Sequence, residues 1–485
     1  METILKYFRT LPQRQMVRPW ALATPILVLL VALPLLRPLR NPEISAMSSN
    51  ELSRLATVQA LAEHHTQEID QTSFYRALRW RDLDNTPSET VELNNRHYSD
   101  KAPVLSLILA GAYDVMRWFG LSMHNNQALV VYLLTIVCSV IPVASCAGMV
   151  YRMGRLFELK RPWRTLLAAT VTFGSGLLSY AVVINAHAPA AALIMGACAC
   201  LVHTTVAKEP TRTGAWLMIS GFCAALAATI DPAAGIFLVA LVMVIVALRW
   251  RKHLRLGGVL LYIIGAVPPI ILHAVLTVPI TGDLLPPTLH PEFHRYDSRL
   301  SLADGVQSMD VAAADDDPTA PPGWARSSFN ACERVIAALI GSRGIFSHFP
   351  VLIFGLLGIG AVLRRHWPTT TKMLAAVTLL GGCAAILAQP IIQRSLSGAA
   401  FGPRWFLVFL PLLLFWSGAW LRKSHHPITW SLAAIALIFS VTVSLLGMTS
   451  PFMVSPGEYT AGVALRQFLH SNAYQPMERA TVATN

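Results

Sequence analysis

The residues with a chemistry of their own fall in a few short stretches. NELSRLATVQALAEH (residues 50–64) holds Glu51 and Arg54 three apart, so on a helix they are neighbours. A carboxylate there can act as a general base toward a hydroxyl, or it can be an ordinary acid in a first helical turn. Glu43 is a second carboxylate in the same region. HYSDKAPVLSLILAG (97–111) sets Asp100 and Lys101 directly ahead of an apolar run. An ammonium in that place can hold a phosphate as a mobile point charge, or the pair can anchor a helix at an interface. His187 stands in INAHAPAAALIMG (184–196) and Asp231 in ATIDPAAG (228–235). Aspartate is costly in lipid, so Asp231 must face an aqueous cavity or the surface. GSRGIFSHFP (341–350) carries Arg343 and His348, with Gly341 and Gly344 permitting close approach of backbone to a ligand. Arg404 follows Pro403 at the head of another apolar run. One such cation is ordinary snorkelling. Three of them, Lys101, Arg343 and Arg404, each at the end of a membrane segment, suit a ligand with phosphate at the membrane surface and an apolar tail in the bilayer.

The elements that hold these groups are apolar helices. Of the 485 residues 54% are hydrophobic and 13% charged, about half the charge of a soluble chain. Twelve apolar runs are read: 21–36, 104–120, 127–151, 165–184, 188–207, 214–230, 233–248, 257–278, 349–363, 373–391, 403–421 and 428–448. The chain is therefore an all-α polytopic membrane protein, and its net charge of +12 belongs to topology rather than to nucleic acid. Basic clusters at 152–164, 249–255, 364–372 and 422–423, with Lys208 and Arg212, fall on one side if each run from 165 onward crosses once. The positive-inside rule puts that side, and residues 1–20, in the cytoplasm. The long polar loops 37–103 and 279–348 and the tail 449–485 then lie outside. One conflict remains. Residues 37–103 are outside and 152–164 inside, yet two runs separate them. The run 104–120, with Asp114 and Arg117, is the weaker membrane segment, and the count stays at about eleven to thirteen helices.

Within the first outer loop, Ser48 or Ser49 can cap a helix with Glu51 in its first turn. Leu52, Leu55, Val58 and Leu61 make that helix amphipathic, fit to lie along the membrane face. His64 and His65 lack the spaced partners of a zinc site. The seven cysteines include no CxxC pair and read as small apolar filler. Asp315, Asp316 and Asp317 read as part of a flexible loop. No phosphate-binding GxxxxGK[ST], Rossmann context or HExxH occurs.

In order and spacing, the stretches at 50–64, 98–111, 185–194, 341–350 and 401–413 resemble the integral-membrane GT-C glycosyltransferases, in particular bacterial relatives of protein O-mannosyltransferases and aminoarabinose transferases of lipid A. YSDKAP is the most specific piece; the family commonly reads DKPP there, and Ala102 replaces the first proline. The resemblance implies a bundle of GT-C type with its active site facing the periplasm of a bacterial inner membrane. It also implies inverting transfer of a sugar from a polyprenyl-phosphate donor to a hydroxyl on a glycan, lipid or protein. The family's Asp-Glu pair after the first helix is Asn50–Glu51 here, so the resemblance assigns the catalytic role to Glu51, with Glu43 and Asp100 as alternatives. It places Lys101, and with it Arg404 and Arg343, near the donor phosphate; Arg54, His187 and His348 are further candidates to bind the donor. Some relatives use a divalent cation; no cage for one is evident in this sequence. A transporter or flippase, or an envelope assembly protein without activity, are the rival classes.

Overall fold

A computed structural model describes residues 19–83, 89–206, 210–290, 323–392, 400–423, 426–452 and 458–469. The core of loop 279–348, with Asp315–Asp317, and the end of the tail lie outside the described residues. The chain is a multi-spanning all-α bundle. Among the described residues eight helices are long and apolar enough to cross a membrane. They are Pro19–Arg40, Gln127–Phe157, His187–Thr204, Thr213–Ile230, Pro232–Trp250, Leu256–Thr281, Thr369–Ala388 and Pro427–Thr449. A ninth span exists if Cys332–His348 and Leu352–Arg364, bent by 94°, count as one.

The other apolar runs become shorter or broken elements, for identifiable reasons. The run 165–184 starts as helix α1 (Arg161–Gly174) and stops where Gly176 takes a φ of +76°, its α-carbon packed so closely on Phe349 that an added Cβ would stand 2.5 Å from that ring. Residues 175–186 are then irregular, and their backbone is satisfied by side chains, as apolar surroundings require. Asn185 Nδ2 donates to Tyr180 O (2.6 Å) and Val183 O (3.0 Å), and Ser139 Oγ donates to Val183 O (2.7 Å). The run 403–421 begins as a 3-10 turn, Arg404–Phe406, and continues as the short apolar helix Leu410–Leu421.

The run 104–120 is not among the eight long apolar helices. It forms helix α2 (Pro103–Trp118), and both its ends are tied to the first outer loop. Lys101, just ahead of it, bonds to Ser99; Tyr113 Oη donates to Glu63 (2.6 Å) and Arg117 Nη1 to Ala62 O (2.6 Å). The next helix opens against Arg37–Arg40, at the top of the first span. The described residues of 37–126 thus gather at the end of the first span, and the candidate span Gln127–Phe157 runs alongside that first span, where Gly148 faces Pro25. At the far end, Arg422 pairs with Glu158 and lies over Trp367 at 5.4 Å, and Thr165 donates to Trp20 O (3.3 Å). The basic loops 152–164, 364–372 and 422–423 therefore share that end. In a cysteine-less background, single cysteines replacing His65 and Lys252 should react with an impermeant thiol reagent from opposite sides. Residue 65 should label in intact cells and residue 252 only after permeabilisation; labelling of 252 in intact cells would invert the map.

The outer loop has a core of its own. Helix α3 (Ser49–Gln59) is capped by Ser48, whose Oγ accepts from Glu51 N (3.2 Å) while the Glu51 carboxylate accepts from Ser48 N (3.2 Å), a reciprocal capping box. The expected cap is present, but the helix has no exposed face. Every residue from Asn50 to Gln59 is buried, because α2 and helix α4 (Ser73–Leu83) pack against it. Its polar positions Ser53, Arg54 and Thr57 are enclosed within the protein rather than wetted. One element departs from the all-helical reading: a hairpin pairs β1 (Thr90–Leu93) with β2 (Arg96–Ser99), Thr90 opposite Ser99. Asn94 and Asn95 both have positive φ, as a two-residue hairpin turn demands.

Candidate active site

The hairpin register delivers the first charged group. It brings Glu89 back to Asp100, whose amide donates to Glu89 O (3.3 Å). Lys101 Nζ pairs with the Glu89 carboxylate and with Asp100 Oδ2 (2.7 Å). Asp100 is 4% exposed; its Oδ1 has no close hydrogen-bond partner among the described residues, and the Ser53 hydroxyl stands near enough to the carboxylate to favour its charged form. Burial pushes the Asp100 carboxyl up to about 8, against the pull of the Arg54 and Arg404 charges. Burial first, then the Arg404 and Arg54 charges, holds the Lys101 ammonium well below the usual lysine range.

Arg54 comes from the buried face of α3. Its Nε and Nη1 are buried without a hydrogen-bond partner among the described residues, and its charge is felt at Asp100 and Asp231. The sequence places it beside Glu51, but Glu51 turns elsewhere. Oε1 accepts from Arg37 Nε (3.1 Å), and Oε2 accepts from the amide and hydroxyl of Ser48 (each 3.2 Å). Both carboxylate oxygens are therefore in use, and the Arg37–Glu51 pair is buried at both ends.

The third contribution comes from three separate segments. His187 begins helix α5 (His187–Val206), whose first turn is capped by Asn185 Oδ1, accepting from Ala188 N (2.9 Å). Asp231 caps the turn Pro232–Ala234 through Ala233 N (3.0 Å). Asp231 Oδ2 lies 2.5 Å from His187 Nδ1, and Arg404 Nε donates to His187 Nε2 (3.0 Å). All three residues are buried. The Arg404 guanidinium carbon stands 5.0 Å from the Trp405 ring and 5.4 Å from Phe452.

Arg54, Lys101 and Arg404 thus form one electrostatic cluster with Asp100 and Asp231. A narrow cleft of about 10 Å³ lies beside Lys101, lined by Thr57, Gln67, Ser99, Lys101, Pro103 and Thr277. The segments 37–103 and 279–290 meet there, since Thr288 Oγ1 donates to Asp100 O. Arg343 and His348 sit in a neighbouring layer: His348 Nε2 lies 2.7 Å from Thr460 Oγ1, and Thr460 Oγ1 accepts from Gly402 N (3.0 Å). The Arg343 charge is felt at Tyr180 and His348. Glu43 is exposed in the loop ahead of the turn Ile44–Ala46. Among the described residues no three His, Cys, Asp or Glu side chains gather as a metal site. Asp100 and Asp231 are each engaged by a cation or a histidine, so the cluster does not fit a divalent cation.

Sequence reasoning overlooked Arg37, Glu89 and Trp405. Arg37 reads as a flanking charge, and Glu89 reaches Lys101 only through a hairpin whose signal is the pair Asn94–Asn95.

Glu51→Gln should remove the charge that balances buried Arg37 and destabilise the fold by on the order of 3 kcal/mol. Thermal unfolding in detergent measures this. A variant as stable as the parent, with turnover lost, would restore Glu51 as the base.

No protein-family model matches the chain, and no curated protein matches it. Among solved structures it is similar to the Archaeoglobus fulgidus oligosaccharyltransferase in the apo form, at 13% identity and a TM-score of 0.49. The match covers 91% of this chain, which spans 57% of that enzyme's length.

Proposed function

We propose that the protein is a glycosyltransferase of GT-C type, moving a sugar from a polyprenyl-phosphate carrier to a hydroxyl of a glycan, lipid or protein at the periplasmic face of a bacterial inner membrane. The observation that carries this reading is the convergence of Arg54, Lys101 and Arg404, far apart in the chain, in one buried cluster with unmet hydrogen-bonding capacity on Arg54. A buried guanidinium without full partners, as Arg54 is among the described residues, is costly, and a phosphate supplies acceptors for it. Membrane helices around the cluster suit a lipid-borne donor, and no nucleotide-binding motif occurs in the chain.

In this reading Asp100 is the base, because it is the buried carboxylate with an oxygen to spare, while Glu51 holds Arg37 and the start of α3. Asp100 Oδ1 takes the proton of the acceptor hydroxyl. The acceptor oxygen attacks the anomeric carbon as the bond from that carbon to the phosphate oxygen breaks, with inversion. The electron pair leaves with the polyprenyl phosphate, whose charge is met by Arg54, Lys101 and Arg404. Lys101 exchanges part of its pairing with Glu89 and Asp100 for the phosphate, and this frees Asp100 as the donor binds.

The test is mass analysis of lipid extracted from the purified protein. Polyprenyl phosphate or its sugar conjugate should copurify, in excess over its share of the membrane. Turnover of a nucleotide sugar with no lipid carrier present would contradict the assignment.

A further inference from the structure

The contact between Arg404 and His187 fixes more than a distance. Arginine has no acceptor, so the nitrogen that receives the Arg404 Nε hydrogen, His187 Nε2 at 3.0 Å, carries no proton. The imidazole proton is then on Nδ1, where Asp231 Oδ2 accepts it at 2.5 Å. Asp231 is held in turn by the Ala233 amide at 3.0 Å, and His187 by the helix start that Asn185 caps. The side chains of Asp231, His187 and Arg404 in this chain are all buried. It joins the ends of three membrane elements that are far apart in sequence.

We infer that Asp231 and His187 are positioning residues that orient the Arg404 guanidinium for the donor phosphate. This rests on the proposed function of the same site. Arginine binds phosphate well because its planar fork presents paired donors in a set direction. A guanidinium on a flexible stem loses that advantage unless its plane is fixed. Fixing Nε from one side sets the plane, and with it the direction of both Nη nitrogens. The Trp405 and Phe452 rings, 5.0 Å and 5.4 Å from the guanidinium carbon, limit tilting. Asp231 acts one step further back, because its hydrogen bond selects the only neutral histidine tautomer that can accept from Arg404.

The test is a double-mutant cycle on the full chain in detergent, with decaprenyl phosphate as the probe. His187→Phe should weaken binding about tenfold in the parent and less than twofold in an Arg404→Ala background. Equal losses in the two backgrounds would overturn the inference, since a merely structural histidine would act without regard to Arg404. His187→Gln, whose amide oxygen can take the place of Nε2, should stay within about threefold of the parent. His187→Asn, which keeps only the side facing Asp231, should resemble His187→Phe; a glutamine variant as poor as the phenylalanine one would also overturn the inference. An independent readout needs no ligand. In ¹⁵N-histidine spectra the signal that disappears in His187→Phe should have the shifts of a ring protonated on Nδ1 alone, and a ring protonated on Nε2 would refute the couple. If the parent binds no decaprenyl phosphate, the proposed function falls, and the couple is judged by that spectrum alone.

Discussion

Asp100→Asn should lower transfer by 10²–10⁴-fold, the usual cost of losing a general base, while decaprenyl phosphate still binds. The variant keeps the size of the side chain and removes the oxygen that takes the proton. Above about pH 8, where Asp100 is ionised, it also removes a negative charge next to Lys101 Nζ, 2.7 Å away, so phosphate affinity should hold or rise. The pH profile supplies a sharper signature. Burial pushes the Asp100 carboxyl up to about 8, and a base works in its deprotonated form. Turnover per donor bound should therefore climb as pH rises through about 8, and fall below it as Asp100 takes a proton. That limb should be missing in whatever residual activity Asp100→Asn retains. The measurement is initial rate against pH for both proteins. The same limb in both would assign the titration, and the base, to another group.

Arg54→Gln should separate stability from binding with opposite signs. Among the described residues two buried Arg54 guanidinium nitrogens have no hydrogen bond, and the side chain is close enough to Arg404 for the like charge to be felt. Removing a buried charge so placed relieves a desolvation cost. The variant should melt at or above the temperature of the parent. Hydrogen bonds to charged groups contribute about 1.5–3 kcal/mol, so affinity for decaprenyl phosphate should fall by roughly 10–150-fold. A structural arginine would show the reverse: a lower melting temperature and unchanged affinity. Thermal unfolding and equilibrium binding on the same preparation decide between them.

Much of this site is readable one residue at a time. Asp100–Lys101 ahead of a membrane segment, Arg404 after a proline and His187 beside a turn are local signals. Ser48 and Glu51 as a helix start are equally local, and the capping box has that form. What sequence does not contain is pairing across the fold. Arg404 meets His187 across 217 positions, and nothing in either neighbourhood indicates the other. Asp231 reads as a turn residue because it caps a turn; its second oxygen, on His187, is visible only in three dimensions. The amphipathic pattern of α3 predicts one wet or lipid-facing side, yet the helix is enclosed. A polar stripe facing a buried charged cluster has the same period as one facing water. Likewise the run 104–120 has the composition of a membrane span, and its ties to Glu63 and Ala62 and its packing on α3 are visible only in the fold.

The central claim is that the buried cluster of Arg54, Lys101 and Arg404 is a site for lipid-borne phosphate. It is tested most directly by comparing decaprenyl phosphate with decaprenol, the same chain without the charge, for binding to the full protein in detergent. The account predicts a preference of at least 100-fold for the phosphate, about 2.7 kcal/mol, reduced at least tenfold in Arg54→Gln and in Arg404→Ala. Equal affinity for the two lipids, or a preference untouched by either substitution, would contradict it.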